Sequence, residues 1–173
     1  MLPLDKFKAI IESTPLISID LIVRNNEAKI LLGKRLNRPA QGYWFVPGGR
    51  ILKDEPFTTA FNRLVKEELG LDDIESKFKG VYQHFYDDNF SEDKFTTHYV
   101  VLAHEVNFNE ALSTLPLEQH STYKWFSEDE LLNNQQTHIH TKWYFQDSKQ
   151  ADFDVNSINI TLKKIRNSIC SPL

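Results

Sequence analysis

Glu67 and Glu68 are adjacent carboxylates in the run Arg63-Leu-Val-Lys-Glu-Glu-Leu-Gly-Leu71, with Arg63 one helical turn ahead of Glu67. On a helix they would offer hard oxygen ligands from a rigid element. That suits Mg²⁺ or Mn²⁺, which proteins bind through few carboxylates together with substrate phosphate. Standing alone, such a pattern reads more simply as a solvated helix face. Two neighbouring segments change the balance. Gly49-Arg-Ile-Leu-Lys-Asp-Glu55 ends seven residues before Arg63, and Pro39 to Arg50 (PAQGYWFVPGGR) packs three of the six glycines and two of the seven prolines around a short aromatic run. A loop of that composition is built for unusual backbone close to a ligand.

The elements that must hold these residues are legible as periodicity. Phe57, Ala60, Phe61, Leu64, Val65 and Leu69 recur at three- and four-residue spacing, which predicts an amphipathic helix closed by Gly70. Leu16 to Val23 (LISIDLIV) alternates as a strand, with Ile17, Ile19, Leu21 and Val23 on one face and Ser18, Asp20 and Ile22 on the other. Asn25-Asn26 turns the chain into a partner strand at Lys29 to Gly33, which would bring Asp20 towards Arg35. Strands are also expected at Tyr43 to Val46, Phe78 to Tyr86, Thr96 to Phe108 and Tyr123 to Phe126. A helix is expected at Leu4 to Glu12, and another after the capping-box pattern Ser127-Glu-Asp-Glu130, beyond which the chain reads as helical. Loops fill Asp87 to Lys94 and Asn109 to Ser121. The order of elements predicts a mixed sheet with helices packed on it, an α/β fold.

At 173 residues the chain fits one domain, read as residues 1–150, followed by an extension at 151–173. In that extension Ile158, Leu162, Ile165 and Ile169 form a helical stripe suited to packing on the domain or at an interface. A net charge of −4 gives no global basic field for nucleic acid. Cys170 is the only cysteine, so an intrachain disulfide framework is excluded and a reducing compartment is the economical expectation. No run approaches the ~18 apolar residues of a membrane span and no signal peptide is in view, so a cytoplasmic location is expected.

The glutamate run and the segment before it resemble the Nudix box. That pattern runs G, five residues, E, seven residues, then R-E-U-x-E-E-x-G-U with U a bulky aliphatic. Every fixed position is met except one, because Leu64 stands where the first glutamate after the arginine belongs. In the intact pattern the glutamates at the positions of Leu64 and Glu68 stack at i and i+4. Losing the first removes a carboxylate, so one bound metal becomes the expectation rather than two or three.

With LGKRLNRPAQGYWFVPGGR, QHFYDDNF, FTTHYVV and EQH, the chain is similar to the GDP-mannose mannosyl hydrolases, the branch of the Nudix superfamily that lacks this glutamate. The resemblance runs from about Thr14 to about Trp143 and implies the Nudix fold, a mixed β-sheet sandwiched between helices (α/β/α). It implies hydrolysis of GDP-mannose, and of GDP-glucose, to GDP and free sugar by attack of water at the anomeric carbon with inversion. It also implies one Mg²⁺, replaceable by Mn²⁺, held by the backbone carbonyl of Gly48, the carboxylate of Glu68 and the side-chain oxygen of Gln119. His120 would be the general base, working near neutrality from an ordinary imidazole pKa. Arg35 and Tyr99 would support the departing diphosphate, Arg50 and Arg63 would clamp it with the metal, and Asp20 and His84 would orient the substrate. Glu67 would tune the site without ligating the metal. A homodimer is expected from the family and from the prevalence of twofold symmetry.

Two other functions stay open at this stage. One is a conventional pyrophosphohydrolase attacking phosphorus without the carboxylate missing at Leu64. The other is a non-catalytic nucleotide-sugar-binding module. His138 and His140 form an H-x-H pair, but at helical spacing they should diverge, with no third ligand evident. Tyr43, Trp44 and Phe45 could stack on a nucleobase, although an aromatic strand usually builds core.

Overall fold

Leu16–Arg24 forms strand β1, the centre of a seven-stranded sheet in a computed structural model that describes residues 3–91 and 93–154. The chain begins with helix α1 (Leu4–Ser13) and continues through β1, β2 (Ile30–Arg35), β3 (Trp44–Phe45), β4 (Gly48–Arg50), α2 (Phe57–Leu69), β5 (Ser76–Tyr86) and β6 (Thr97–Asn107). A 3₁₀ turn at Leu112–Thr114 leads into β7 (His120–Phe126), α3 (Glu128–Asn133) and α4 (Ile139–Trp143). Strand order along the sheet is β3-β2-β1-β6-β5, with β4 added to β1 and β7 to β2. β1 and β6 run parallel while the other pairs are antiparallel, so the sheet is mixed as expected.

The alternation in β1 sends its residues into two cores. Ile19, Leu21 and Val23 join Ala60, Phe61, Leu64, Val65 and Leu69 of α2. On the opposite face Ile22 packs with Tyr82, Val101 and Ala103, while Phe126 and Leu131 of the α3 region close a third cluster with Ile30, Leu32 and Phe45. The architecture is an α/β/α sandwich. Helix α2 ends where Gly70 adopts a left-handed backbone (φ 73°) and its N–H bonds the Lys66 carbonyl, the cap its sequence predicts. Among the described residues no helix is long and apolar enough to cross a membrane.

Three local expectations are corrected. Gly48–Arg50 is a strand on β1, with Asp20 opposite Gly48, where the glycine content suggested only loop. His120 opens strand β7 rather than lying in the preceding loop. Among the described residues beyond Ser127 the chain is helical only in two short pieces, since Asn134 is extended and its side chain takes the Gln136 amide at 2.8 Å, diverting the backbone from the helix. Residues 151–154 lie on the edge of the sheet, Phe153 bridging Val81 of β5, and the apolar stripe expected at Ile158 to Ile169 falls outside the described residues.

Leu64, the residue in place of the missing glutamate, is 1% exposed and sits where a Cβ on Gly49 would come within 2.6 Å of its Cδ2. It packs with the core of α2 and the sheet. Leu64→Ala should lower unfolding free energy by about 3 kcal/mol in urea titrations at unchanged m, and a loss below about 1 kcal/mol would contradict this packing.

Candidate active site

Helix α2 carries Glu68 on the face turned to the sheet, where it is 1% exposed. Its Oε1 accepts a 2.6 Å hydrogen bond from Gln119 Nε2, and its Oε2 is buried without a hydrogen-bond partner. Burial pushes this carboxyl up to about 8, with Arg35 opposing the rise and Glu67 adding to it. His120 Nδ1 lies 3.6 Å from Oε2, too far for a hydrogen bond. Burial, aided by Arg35, holds that imidazole down to about 4, so the two groups do not form an ion pair at neutral pH. A buried carboxylate with a bare oxygen and no counter-charge in bonding reach fits a hard cation. Among the described residues no group of three His, Cys, Asp or Glu side chains is disposed to hold a metal. A cation at Glu68 would therefore draw on neutral oxygens; the groups beside it are the Gly48 backbone, whose N–H faces the carboxyl, and the amide of Gln119. Gln119 presents its nitrogen to Glu68 here, so it would have to turn over to ligate.

Beside Glu68 opens a cleft of about 340 Å³ whose lining includes Asp20, Arg35, Gly48, Arg50, Arg63, Leu64, Glu67, His84, Tyr99 and Gln119. Strand register assembles it. Asp20 faces Gly48 across β1–β4, His84 faces Tyr99 across β5–β6, and Arg35 faces His120 across β2–β7. The three arginines differ in commitment. Arg63 is already held by Glu55 at 2.7 Å, by Glu67 at 2.8 Å and by the Arg50 carbonyl at 2.9 Å. Arg35 spends one N–H on the Pro39 carbonyl at 3.0 Å, and Arg50 lies over the Phe7 ring at 4.4 Å. Among the described residues neither Arg35 nor Arg50 has a carboxylate in ion-pair reach. The Arg35 charge is nonetheless felt at Asp20, Glu68, His120 and Tyr99, which puts it at the electrostatic centre of the site.

His120 is turned away from the cleft. It is 2% exposed and packs so closely on Gly33 that a Cβ there would come within 2.3 Å of its Cδ2. Its Nδ1 meets the Tyr123 hydroxyl at 3.1 Å, and that hydroxyl donates to the Pro116 carbonyl. The expectation that His138 and His140 diverge is also corrected. The His138 and His140 ring centroids are 4.8 Å apart, and His140 stacks on His84 at 4.2 Å and 10°. His138 caps α4 with its imidazole, which bends the pair together before helical geometry begins. Tyr43, Trp44 and Phe45 belong to the wall and core, Trp44 edge-on to Phe126 and Phe45 against His138.

Sequence reasoning missed Phe7, Tyr86 and Phe90 in the cleft wall, and Tyr144, whose hydroxyl donates to Asp20 Oδ2 at 2.6 Å across 124 residues of chain. The QHFYDDNF motif signalled Tyr86 and Phe90; nothing local signals Tyr144.

Comparison with known proteins shows the family and the fold. The NUDIX domain family matches residues 14–146, and the chain belongs to that family. It is 43% identical over 127 residues to the low-salt glycan biosynthesis protein Agl8 of Haloferax volcanii, covering 72% of this chain and 79% of that one. In fold it is similar to the MutT protein of Methanosarcina mazei (TM-score 0.61, 21% identity, 77% of this chain and 92% of that one). It is similar also to the NUDIX domain of Shewanella oneidensis NrtR complexed with ADP ribose (TM-score 0.56, 16% identity, 85% and 99% covered).

The buried groups set how stability depends on pH. His84, His120, His138 and His140 are held down to about 2, 4, 4 and 3, chiefly by burial, so at pH 5 they are neutral when folded and charged when unfolded. Glu68 and Asp20, raised to about 8 and about 6, act in the opposite sense. Unfolding at pH 5 therefore takes up about four protons on imidazoles and releases about two from carboxyls, and stability rises with pH. Above neutrality the imidazoles are uncharged in both states while Glu68 still loses a proton on unfolding, so stability falls towards pH 8. Thermal unfolding in EDTA at constant ionic strength should show a maximum near pH 7, and a maximum below pH 6 would contradict these environments.

Proposed function

We propose that the protein hydrolyses GDP-mannose, and GDP-glucose, to GDP and the free sugar by attack of water at the anomeric carbon with inversion, using one Mg²⁺ or Mn²⁺. The observation that carries this reading is one bare, buried carboxylate, Glu68, beside two arginines that have no carboxylate partner among the described residues, Arg35 and Arg50, at a single cleft. That combination suits one cation and a diphosphate. The apolar Leu64 removes the second carboxylate of the intact pattern and so favours departure of the diphosphate over attack upon it. The likeness to Agl8, named for glycan biosynthesis, supports a nucleotide-sugar substrate.

Gly48, Glu68 and Gln119 would hold the cation, which supplies positive charge to a leaving diphosphate. Arg35 and Arg50 add charge in the same cleft, and Tyr99, with its ring in the wall, completes the support. Arg63 acts through Glu55, Glu67 and the Arg50 carbonyl, keeping α2 and β4 in register. With so much positive charge on the leaving group, no protein acid need protonate it. His120 is the proposed base. To serve, it must leave Gly33 for the cleft, where rehydration returns its pKa towards about 6.5 and makes it able to accept a proton from water near neutral pH. Gln119 precedes it, so one outward shift of this segment would serve both residues. A homodimer, a cytoplasmic location, and a domain at residues 1–150 with an extension at 151–173 belong to the same reading.

The test is GDP-mannose and Mg²⁺ in ¹⁸O-water, followed by phosphorus and proton NMR. The expected products are unlabelled GDP and ¹⁸O-labelled mannose, first seen as the β anomer, with turnover reduced about 10²- to 10⁴-fold in His120→Gln. GMP with mannose 1-phosphate would instead make the protein a conventional pyrophosphohydrolase. Binding without turnover would make it a nucleotide-sugar-binding module.

A further inference from the structure

Asp20 and His84 both line the cleft, on different strands, and one hydroxyl joins them. Tyr144, just beyond α4, donates to Asp20 Oδ2 at 2.6 Å, and the same oxygen lies 3.3 Å from His84 Nε2. A phenol has one proton, and here Asp20 receives it. Only lone pairs of the Tyr144 oxygen then face Nε2, so Nε2 must carry the hydrogen of that contact. Burial and the neighbouring His140 and His138 keep His84 neutral, which leaves Nδ1 bare. Stacking of His140 on the imidazole at 4.2 Å, and the edge-on packing of Tyr82 on Tyr144 at 4.8 Å, hold both rings in this arrangement. His84 Nδ1 and Asp20 Oδ1 have no hydrogen-bond partners among the described residues, and neither is among the polar atoms sealed from solvent.

We propose that Tyr144 is a positioning residue whose hydroxyl fixes the Asp20 carboxylate and the His84 tautomer, so that Oδ1 and Nδ1 stand as paired hydrogen-bond acceptors for hydroxyl groups of a sugar in the cleft. This rests on the nucleotide-sugar reading. Two acceptors without a donor between them recognise ligand O–H groups and reject a sugar that lacks one, because the abandoned acceptor is left unpaired in a site with little water. Discrimination is thus set from Tyr144, a residue that does not itself line the cleft.

The first experiment needs no substrate. Long-range proton–nitrogen correlation NMR of the full chain, with the His84 signals assigned by their absence in His84→Gln, reads the tautomer directly. The expected result is Nε2–H with bare Nδ1 in the wild type and a mixture of tautomers in Tyr144→Phe. An Nδ1–H form in the wild type would overturn the proposal. The second experiment is steady-state hydrolysis of GDP-mannose. Tyr144→Phe, which keeps the ring, should lower kcat/KM about tenfold, mainly through KM, with the Mg²⁺ requirement unchanged. A loss confined to the folded fraction would leave KM and the tautomer untouched and would contradict a positioning role, as would unchanged kcat/KM. Absence of any sugar release by the wild type would sink the functional reading, and the substrate-free tautomer would still decide whether Tyr144 acts as described.

Discussion

A carboxylate removed from water demands a compensating positive charge, and Glu68 has none within bonding reach. Much of the site follows from that one unmet demand. Leu64 and Gly49 seal one side of α2, Gln119 engages a single oxygen, and Arg35 acts through its field without touching the carboxylate. Left alone, Glu68 relieves the strain by keeping a proton near neutrality. A divalent cation would relieve it by taking the proton's place, which couples ion binding to deprotonation. An ordinary solvated glutamate at this position would neither need the ion nor report its arrival.

The sheet is the device that brings distant segments to this point. Asp20 meets Gly48 because β4 pairs with β1, and His84 meets Tyr99 because β5 pairs with β6. The parallel pairing of β1 with β6 brings these two meetings side by side. The same closeness leaves polar groups buried at a disadvantage: His120 Nε2, His140 Nδ1 and the Thr137 and Thr141 hydroxyls have no partner among the described residues. Such groups lower stability, and the ones named here lie on β7 and around α4, in the layers behind the cleft.

Much of this was legible in the chain. Alternation in LISIDLIV and the three- and four-residue spacing before Gly70 have local physical causes, so β1 and α2 emerge as expected. Eight of the ten residues expected to be in the site line the cleft, and Glu68 lies beneath it. What could not be read depends on long-range pairing. Gly48–Arg50 is a strand only because β1 offers it hydrogen bonds, and two glycines hide that role. His120 points inward because Gly33, 87 residues away, has no side chain to exclude it. Tyr144 reaches Asp20 only after the α4 side of the sandwich has closed. The histidines at 138 and 140 converge because a cap, rather than a helix, sets their geometry.

The central claim is that one helical carboxylate, left single by Leu64, holds one divalent ion. It is tested most directly by titrating the full chain with Mn²⁺ and counting free ion by electron paramagnetic resonance, in the wild type and in Glu68→Gln. The account predicts one site per chain that disappears in the variant. Two or more sites in the wild type, or one that survives in Glu68→Gln, would contradict it.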